Sequence, residues 1–390
     1  TGLSGIHKAH LIATLCADLG RGALVIAADE AEAQRFANDL SFLGVESFVY
    51  PSRDFNFRDT EGQSREYEHQ RLAALSRLVA PSSSARAVIA CIDAALQYTI
   101  PPEELKQRTF SLRPAQQISL NAAVEALVRC GYERAVQVEG AGQFAVRGGI
   151  LDFFTPGAPQ PARAEFWGDE IDTLAYFDPE TQRRTESIEE ITLSPSTESI
   201  LSSPEQLADR IDALSAALRG KAAKAAKEVL AKEAEKLRAG ATLGSLDKFL
   251  PILYPRTATL FDYIDSGELV FLSEPVRIKE RVRSTQWQAG EDLKAYLEEG
   301  VLCKGLDIHA GDWAYAQTEC ARRRTVYLDA FVRGSYDAPL HALVNFTARQ
   351  LSVWGGSVAL LKEDLEGLIS TKTACVVLAG TERAAVAHLK

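Results

Sequence analysis

The stretch from Gln143 to Thr185 constrains the fold most, because glycine and proline divide it into segments of strand length. Gly148-Gly149 and Gly168-Asp169 each separate two runs rich in apolar and aromatic residues, and Asp178-Pro179 ends the last run. Two-residue turns of this kind join neighbouring antiparallel strands. The sequence therefore predicts a small antiparallel sheet with strands at Gln143–Arg147, Ile150–Phe154, Ala162–Trp167 and Ile171–Phe177.

Side chains alternate between the two faces of a strand, so the two faces of this sheet can be distinguished. Along the third strand, Ala164 and Phe166 belong to the apolar face, whereas Arg163 and Trp167 point the other way. Arg147 takes the outer face of the first strand by the same rule. Tryptophan and arginine together are typical of protein–protein contact surfaces. The alternative is a tryptophan that covers a neighbouring helix beside arginines in weak surface ion pairs.

Bulk composition limits the class of protein. A chain of 390 residues exceeds one hydrophobic core and indicates several domains, and 46% hydrophobic with 25% charged residues is typical of soluble proteins. No apolar run has membrane-spanning length and no signal peptide is recognisable, so we expect a cytoplasmic protein without a membrane partner. The net charge of −10 argues against nonspecific nucleic-acid binding, and six cysteines without a CxxC pair argue against a zinc site.

On both sides of the predicted sheet, helical segments alternate with apolar strands, which predicts a parallel sheet. The expected helices are His10–Leu19, Glu30–Leu43, Glu66–Leu78, Ser119–Cys130, Pro204–Ala239, Val276–Glu299, Ala338–Gln350 and Leu360–Ile369. The expected strands are Gly22–Ala28, Glu46–Tyr50, Ala87–Cys91, Ile188–Leu193, Glu268–Leu272, Thr325–Leu328 and Ala374–Leu378, and the pattern changes from about Ala330 onward, at Phe331–Tyr336.

The first ten residues, TGLSGIHKAH, resemble a phosphate-binding loop. A working loop places its lysine directly after the last glycine and follows it with a hydroxyl that holds Mg²⁺. Here Ile6 and His7 separate Gly5 from Lys8, and no hydroxyl follows the lysine. The loop is therefore expected to be degenerate.

A second defect lies at the end of the strand Glu268–Leu272. An ATPase of this architecture would place there an aspartate that organises Mg²⁺, and Ser273 cannot supply that charge. The two defects agree, so we expect no catalytic residue, no metal and no cofactor in this chain. The predicted degenerate nucleotide site comprises Gly5, Lys8, Ser273 and Glu274.

The segments GQFAVRGGILDFFTPG and RAEFWGDEIDTLAYFDPETQR, followed at the expected distance by SLDKFLPILYP and LFDYI, resemble the N-terminal half of the bacterial transcription-repair coupling factors (Mfd). That half is homologous to the excinuclease protein UvrB, and the resemblance covers essentially the whole chain. It implies an α/β fold, in which residues 1–110 and 196–328 form a degenerate helicase-like domain with a parallel sheet. A small antiparallel α+β domain is inserted at residues 111–195, and residues 329–390 begin an incomplete C-terminal α/β domain.

The resemblance also implies a function. In this family the inserted domain recruits the damage-recognition protein UvrA to lesions where RNA polymerase has stalled, and the positions of that contact fall on Arg147, Arg163 and Trp167. Reversal of either arginine is then expected to weaken UvrA binding without unfolding the chain. ATP and Mg²⁺ are expected only in a downstream motor half, which would also contact RNA polymerase and double-stranded DNA.

The competing hypothesis is a UvrB-like enzyme that uses ATP to verify DNA damage, or a helicase fragment. UvrB resembles this chain but has an intact phosphate loop, an acidic pair that binds metal, and an aromatic hairpin that threads DNA. The segment Pro51–His69 is short for such a hairpin and contains only Phe55, Phe57 and Tyr67 as aromatics. These departures favour the noncatalytic module.

Overall fold

The computed structural model describes residues 1–3, 5–58, 64–82, 84–220, 223–241, 243–244, 246–347 and 357–371. Contacts divide the chain into two units, Thr1–Asn345 and Phe346–Lys390. The first unit holds the predicted segments 1–110, 111–195 and 196–328 together, and the boundaries between these segments stay predictions. No helix in the described part of the chain is long and apolar enough to cross a membrane.

The described helices are α1 (Ile6–Leu19), α2 (Glu30–Phe42), α3 (Glu66–Val79), α4 (Ile92–Leu96), α5 (Pro102–Arg108), α6 (Leu120–Arg129), α7 (Pro204–Ala217), α8 (Ala223–Arg238), α9 (Leu250–Leu253), α10 (Pro275–Glu298), α11 (Trp313–Ala321) and α12 (Val358–Ser370). Short 3-10 helices lie at Leu246–Phe249 and Leu260–Tyr263. The described strands are β1 (Ala23–Ala27), β2 (Glu46–Tyr50), β3 (Arg86–Cys91), β4 (Phe110–Leu112), β5 (Glu133–Arg134), β6 (Gln143–Arg147), β7 (Ile150–Phe153), β8 (Ala162–Trp167), β9 (Glu170–Phe177), β10 (Arg184–Ser187), β11 (Ile191–Leu193), β12 (Leu269–Ser273) and β13 (Arg324–Leu328).

A five-stranded parallel sheet in the order β13-β12-β1-β3-β2 is built from both ends of the first unit. Its central strands β1 and β12 are buried along their whole length, as strands covered on both faces must be. Separate apolar clusters lie on its two faces, one around Leu24 and Val270 and the other around Val25 and Phe271. The predicted α/β fold with a parallel sheet is confirmed.

The second sheet has six strands in the order β10-β9-β8-β7-β6-β5, and all its pairs are antiparallel except β5 with β6. Its inner face packs under α6, where Phe144, Leu151 and Ala164 are buried with Leu127. The Ser119 side chain begins α6 by accepting a hydrogen bond from the Ala122 N–H. The predicted hairpins are confirmed at this sheet.

Several predicted elements are wrong. The expected strand Ile188–Leu193 is only β11, and it pairs with β4 in a separate two-stranded sheet. The expected helix Pro204–Ala239 is two helices, because Leu218 is extended and Gly220 adopts φ +97°, a conformation that suits glycine. The sequence pattern also did not predict α11. Asp312 caps the start of this helix, where its side chain accepts a hydrogen bond from the Tyr315 N–H.

The segment after β13 also differs from the prediction. Phe331–Tyr336 forms neither strand nor helix, and just before it the Ala330 N–H donates to Glu274 Oε1, at 2.8 Å. Described residues 338–347 are not helical, and Pro339 disfavours helix at the residue before it, Ala338. In the second unit α12 confirms the predicted helix Leu360–Ile369, whereas the predicted strand Ala374–Leu378 lies outside the described residues.

Candidate partner-binding surface and degenerate nucleotide site

The outer face of the six-stranded sheet carries the predicted contact residues. Across β6, β7 and β8, Asp152 lies opposite both Ala145 and Arg163. Arg147 is opposite Ile150 and so shares the face of Asp152, two residues further along the strand. The structure therefore brings both arginines to one face around the carboxylate of Asp152.

Trp167 ends β8 on the same face, immediately before the turn in which Gly168 adopts φ +62°. Its relative exposure is 85%. Phe166, by contrast, turns inward and packs against the core under α6. The hypothesis that Trp167 covers a neighbouring helix is wrong for the described part of the chain, because the indole is open to solvent.

Arg163 is held inside its own domain. Its Nε and Nη2 atoms donate to the two carboxylate oxygens of Asp152 at 2.6 and 2.9 Å, and its guanidinium lies 4.6 Å from the centre of the Phe177 ring. The hydrogen bonds from Arg163 to Asp152 raise the pKa of the arginine, and the Asp152 side chain is 2% exposed. Arg163 is therefore committed to a buried ion pair and presents little of itself to a partner.

Arg147 is the accessible arginine, with 48% of its side chain exposed. Its Nη2 lies 3.6 Å from Asp152 Oδ2 and donates to Gln182 Oε1 at 3.3 Å. Gln182 also accepts from Arg163 through its side-chain and backbone oxygens. One carboxylate thus faces two guanidinium groups, so the cluster of Asp152, Arg147 and Arg163 carries a net positive charge.

Two members of this cluster were missed in the sequence. Asp152 could have been found, because strand alternation puts it on the outer face opposite Arg163. Gln182 lies in the turn between β9 and β10 with φ +60°, and no local pattern predicts that its amide reaches both arginines.

The predicted degenerate nucleotide site is assembled at the carboxyl end of β12. Lys8, in the first turns of α1, is buried and its Nζ donates to Ser273 Oγ at 3.0 Å and to Glu274 Oε1 at 2.7 Å. Ser273 Oγ donates in turn to Glu32 Oε1 at 2.8 Å. The structure therefore brings three of the four predicted residues into direct contact, while Gly5 occupies the position that begins α1.

Glu274 is the residue that changes the chemistry of this site. It adopts the left-handed φ of 54°, and its carboxylate also accepts from the Ala330 N–H and from Arg333 Nη2. Burial favours the neutral acid, but the hydrogen bonds from Lys8 and Ala330 outweigh it and hold the pKa of Glu274 below its usual value. The lysine that would bind phosphate in a working loop is thus neutralised by a carboxylate of the same chain.

Comparison with known proteins finds a family match over the part of the chain that carries this surface. Residues 110–198 match the family model for the UvrB interaction domain. That range contains all six strands of the antiparallel sheet and hence the exposed Trp167 and Arg147.

Over nearly its whole length the chain is similar to transcription-repair-coupling factors. It is 28% identical to that of Bacillus subtilis (strain 168), with 94% of this chain and 31% of the relative covered. It is 25% identical to that of Myxococcus xanthus, with 97% and 33% covered, and 24% identical to that of Staphylococcus aureus (strain MRSA252), with 98% and 33% covered. The chain thus spans about a third of the length of these relatives, and the resemblance predicted from the sequence is confirmed.

Proposed function

We propose that this chain is a noncatalytic module that binds UvrA through the outer face of the six-stranded sheet. The observation that carries the proposal is the solvent-exposed Trp167, with 85% relative exposure, in a region that matches the UvrB interaction domain. The similarity to transcription-repair-coupling factors supports the wider role, which is recruitment of UvrA in the cytoplasm to lesions where RNA polymerase has stalled.

The two exposed residues would act by different forces. A tryptophan buries a large apolar area at low entropic cost, so the indole of Trp167 would fill a pocket on UvrA. Arg147 carries the positive charge that Asp152 leaves uncompensated, and it would meet a carboxylate at the rim of the interface. Arg163 would hold Asp152 and thereby the position of Arg147.

The noncatalytic part of the proposal is supported by the Lys8–Glu274 pair. A bound nucleotide would have to displace the partly buried Glu274 carboxylate from Lys8 and would find Ser273, not an acid, at the end of β12. Residues 1–110 and 196–328 would then form a helicase-like domain without nucleotide chemistry, with residues 111–195 inserted between them. ATP hydrolysis, translocation on double-stranded DNA and contact with RNA polymerase would belong to the rest of a longer protein.

The test is calorimetric titration of UvrA into the Trp167→Ala variant. Central aromatic anchors contribute at least about 2 kcal/mol, so the dissociation constant should rise about thirtyfold or more. Trp287→Ala is the matched control, because Trp287 is also exposed, at 67%, but lies on α10. Equal affinity of the two variants for UvrA would refute the proposed surface.

A further inference from the structure

A groove of about 550 Å³ lies at the carboxyl ends of β2 and β3 in the parallel sheet. It is lined by the segment after β2, by α4, by α10 and by residues 307–311. Ligands of open α/β sheets bind at the carboxyl ends of the strands, and the volume is that of a ligand site. The UvrA-binding proposal makes no use of this groove.

The lining of the groove is aromatic. Phe55 and Phe57 are stacked with their ring centres 6.0 Å apart, Phe57 lies 4.5 Å from the ring of His309, and Tyr296 of α10 meets Phe57 edge-on. All four rings are half-buried, so part of each remains open. Aromatic faces attract cations, and Arg58 already lies over Tyr296, at 5.3 Å.

The charge of the groove is negative. Asp54, Asp292 and Asp307 line it, and none of them forms an ion pair with a described residue. Arg53 is the one cation among the described lining residues, and it is bound by Asp247 and Glu198 at 2.7 and 3.0 Å.

The remaining basic group, the His309 ring, adds no charge at neutral pH. Burial lowers its pKa to about 4, and it is held by the Lys248 carbonyl oxygen at 3.2 Å. A cationic group entering the groove would therefore meet uncompensated carboxylates and open aromatic rings. The two arginines at the groove are already paired with carboxylates, Arg53 as described and Arg58 with Glu299 at 2.7 Å.

We propose that this groove binds a basic peptide segment of a partner protein, with an arginine or lysine side chain over the Phe57 ring and within reach of Asp292 and Asp307. The carboxylates would repel the phosphates of nucleic acid. No group of three or more His, Cys, Asp or Glu side chains among the described residues could hold a metal ion, which argues against a metal site. Carboxylates together with aromatic rings are the chemistry that recognises guanidinium and ammonium groups.

The experiment uses a fluorescein-labelled tetra-arginine peptide, whose binding to the chain is measured by fluorescence anisotropy at low salt. The double variant Asp292→Asn/Asp307→Asn should weaken binding about tenfold, because two uncompensated charges are removed. The matched control is Glu291→Gln/Glu298→Gln, which changes the net charge equally on α10 residues that do not line the groove. That control should change the affinity less than about twofold.

A second variant separates the aromatic contribution from charge. Phe57→Leu keeps every carboxylate and should weaken tetra-arginine binding at least about threefold through loss of the cation–π contact, with circular dichroism to verify folding. The proposal is overturned if the groove and control double variants weaken binding equally, or if the unaltered chain binds no tetra-arginine. It is also overturned if tetra-glutamate or single-stranded oligothymidylate binds as tightly as tetra-arginine. UvrA binding by the same variants should be unchanged, so this result is independent of the UvrA proposal.

Discussion

At the scale of single residues, Asp152 determines what the two arginines of the proposed UvrA-binding surface can do. Arg163 satisfies both oxygens of a carboxylate that is 2% exposed, whereas Arg147 reaches the same carboxylate from solvent at 3.6 Å. Removing one partner of a buried ion pair leaves an uncompensated charge. The sequence predicted that the charge of either arginine could be reversed without unfolding the chain. From the structure we now expect this of Arg147 but not of Arg163.

Arg163→Glu should lower the free energy of unfolding by about 3–5 kcal/mol, because it places a second carboxylate beside buried Asp152. Arg147→Glu should lower it by about 1 kcal/mol or less, since this arginine is half exposed, but should weaken UvrA binding. Urea denaturation and calorimetric titration measure the two effects. Arg277→Glu is the control, because Arg277 is 55% exposed and pairs with Asp29 on the parallel-sheet side. Equal stability losses for Arg147→Glu and Arg163→Glu would contradict this division of roles.

At the scale of elements, α3 connects the parallel-sheet side of the molecule to the chain that leaves β11. Arg71 donates to buried Glu198 at 2.6 Å, and Glu68 accepts from the Glu198 N–H at 2.7 Å, so the chain leaving β11 is held by buried charges. His69 of the same helix lies 3.1 Å from the Ser196 carbonyl oxygen. Burial, assisted by the charge of Arg65, lowers the pKa of His69 to about 4 from its usual 6.5.

This depressed pKa gives the connection a pH dependence. Between pH 6.5 and about 4 the unfolded chain binds a proton at His69 that the folded chain does not, so the free energy of unfolding falls as the pH falls through that range. The decline should be shallower in His69→Gln, as measured by urea denaturation at several pH values. His10→Gln, at an exposed histidine of α1, should keep the original slope. A His69→Gln variant with an unaltered slope would show that this histidine is not the group responsible.

At the scale of the whole molecule, local sequence patterns predicted the main strands and hairpins. Tertiary contacts determined the conformation after β13 and the accessibility of Arg163. Fully apolar runs located β1 and β12, and the two glycine turns located the hairpins around Arg147 and Trp167. The conformation after β13 was not predictable, because it includes a hydrogen bond from the Ala330 N–H to Glu274, a residue distant in the sequence. Arg163 was placed on the correct face, yet its pairing with Asp152 removed it from the accessible surface.

The absence of nucleotide binding is a prediction for the whole chain. Millimolar Mg-ATP should not change the Tm in differential scanning calorimetry, because a ligand raises Tm only when it binds the folded state, and Lys8 is already neutralised by Glu274. Magnesium sulfate at the same ionic strength is the control. An increase in Tm with Mg-ATP alone would restore the rival hypothesis of an ATP-dependent enzyme.

The Lys8–Glu274 pair bears on what could drive a conformational change in this molecule. An enzyme that hydrolyses ATP alternates between nucleotide-bound and nucleotide-free states, and this alternation drives its conformational cycle. In the proposed noncatalytic module the anion beside Lys8 belongs to the chain itself, so we expect no turnover at this position. We therefore expect any rearrangement that exposes or hides Trp167 to be driven by a partner rather than by nucleotide turnover beside Lys8.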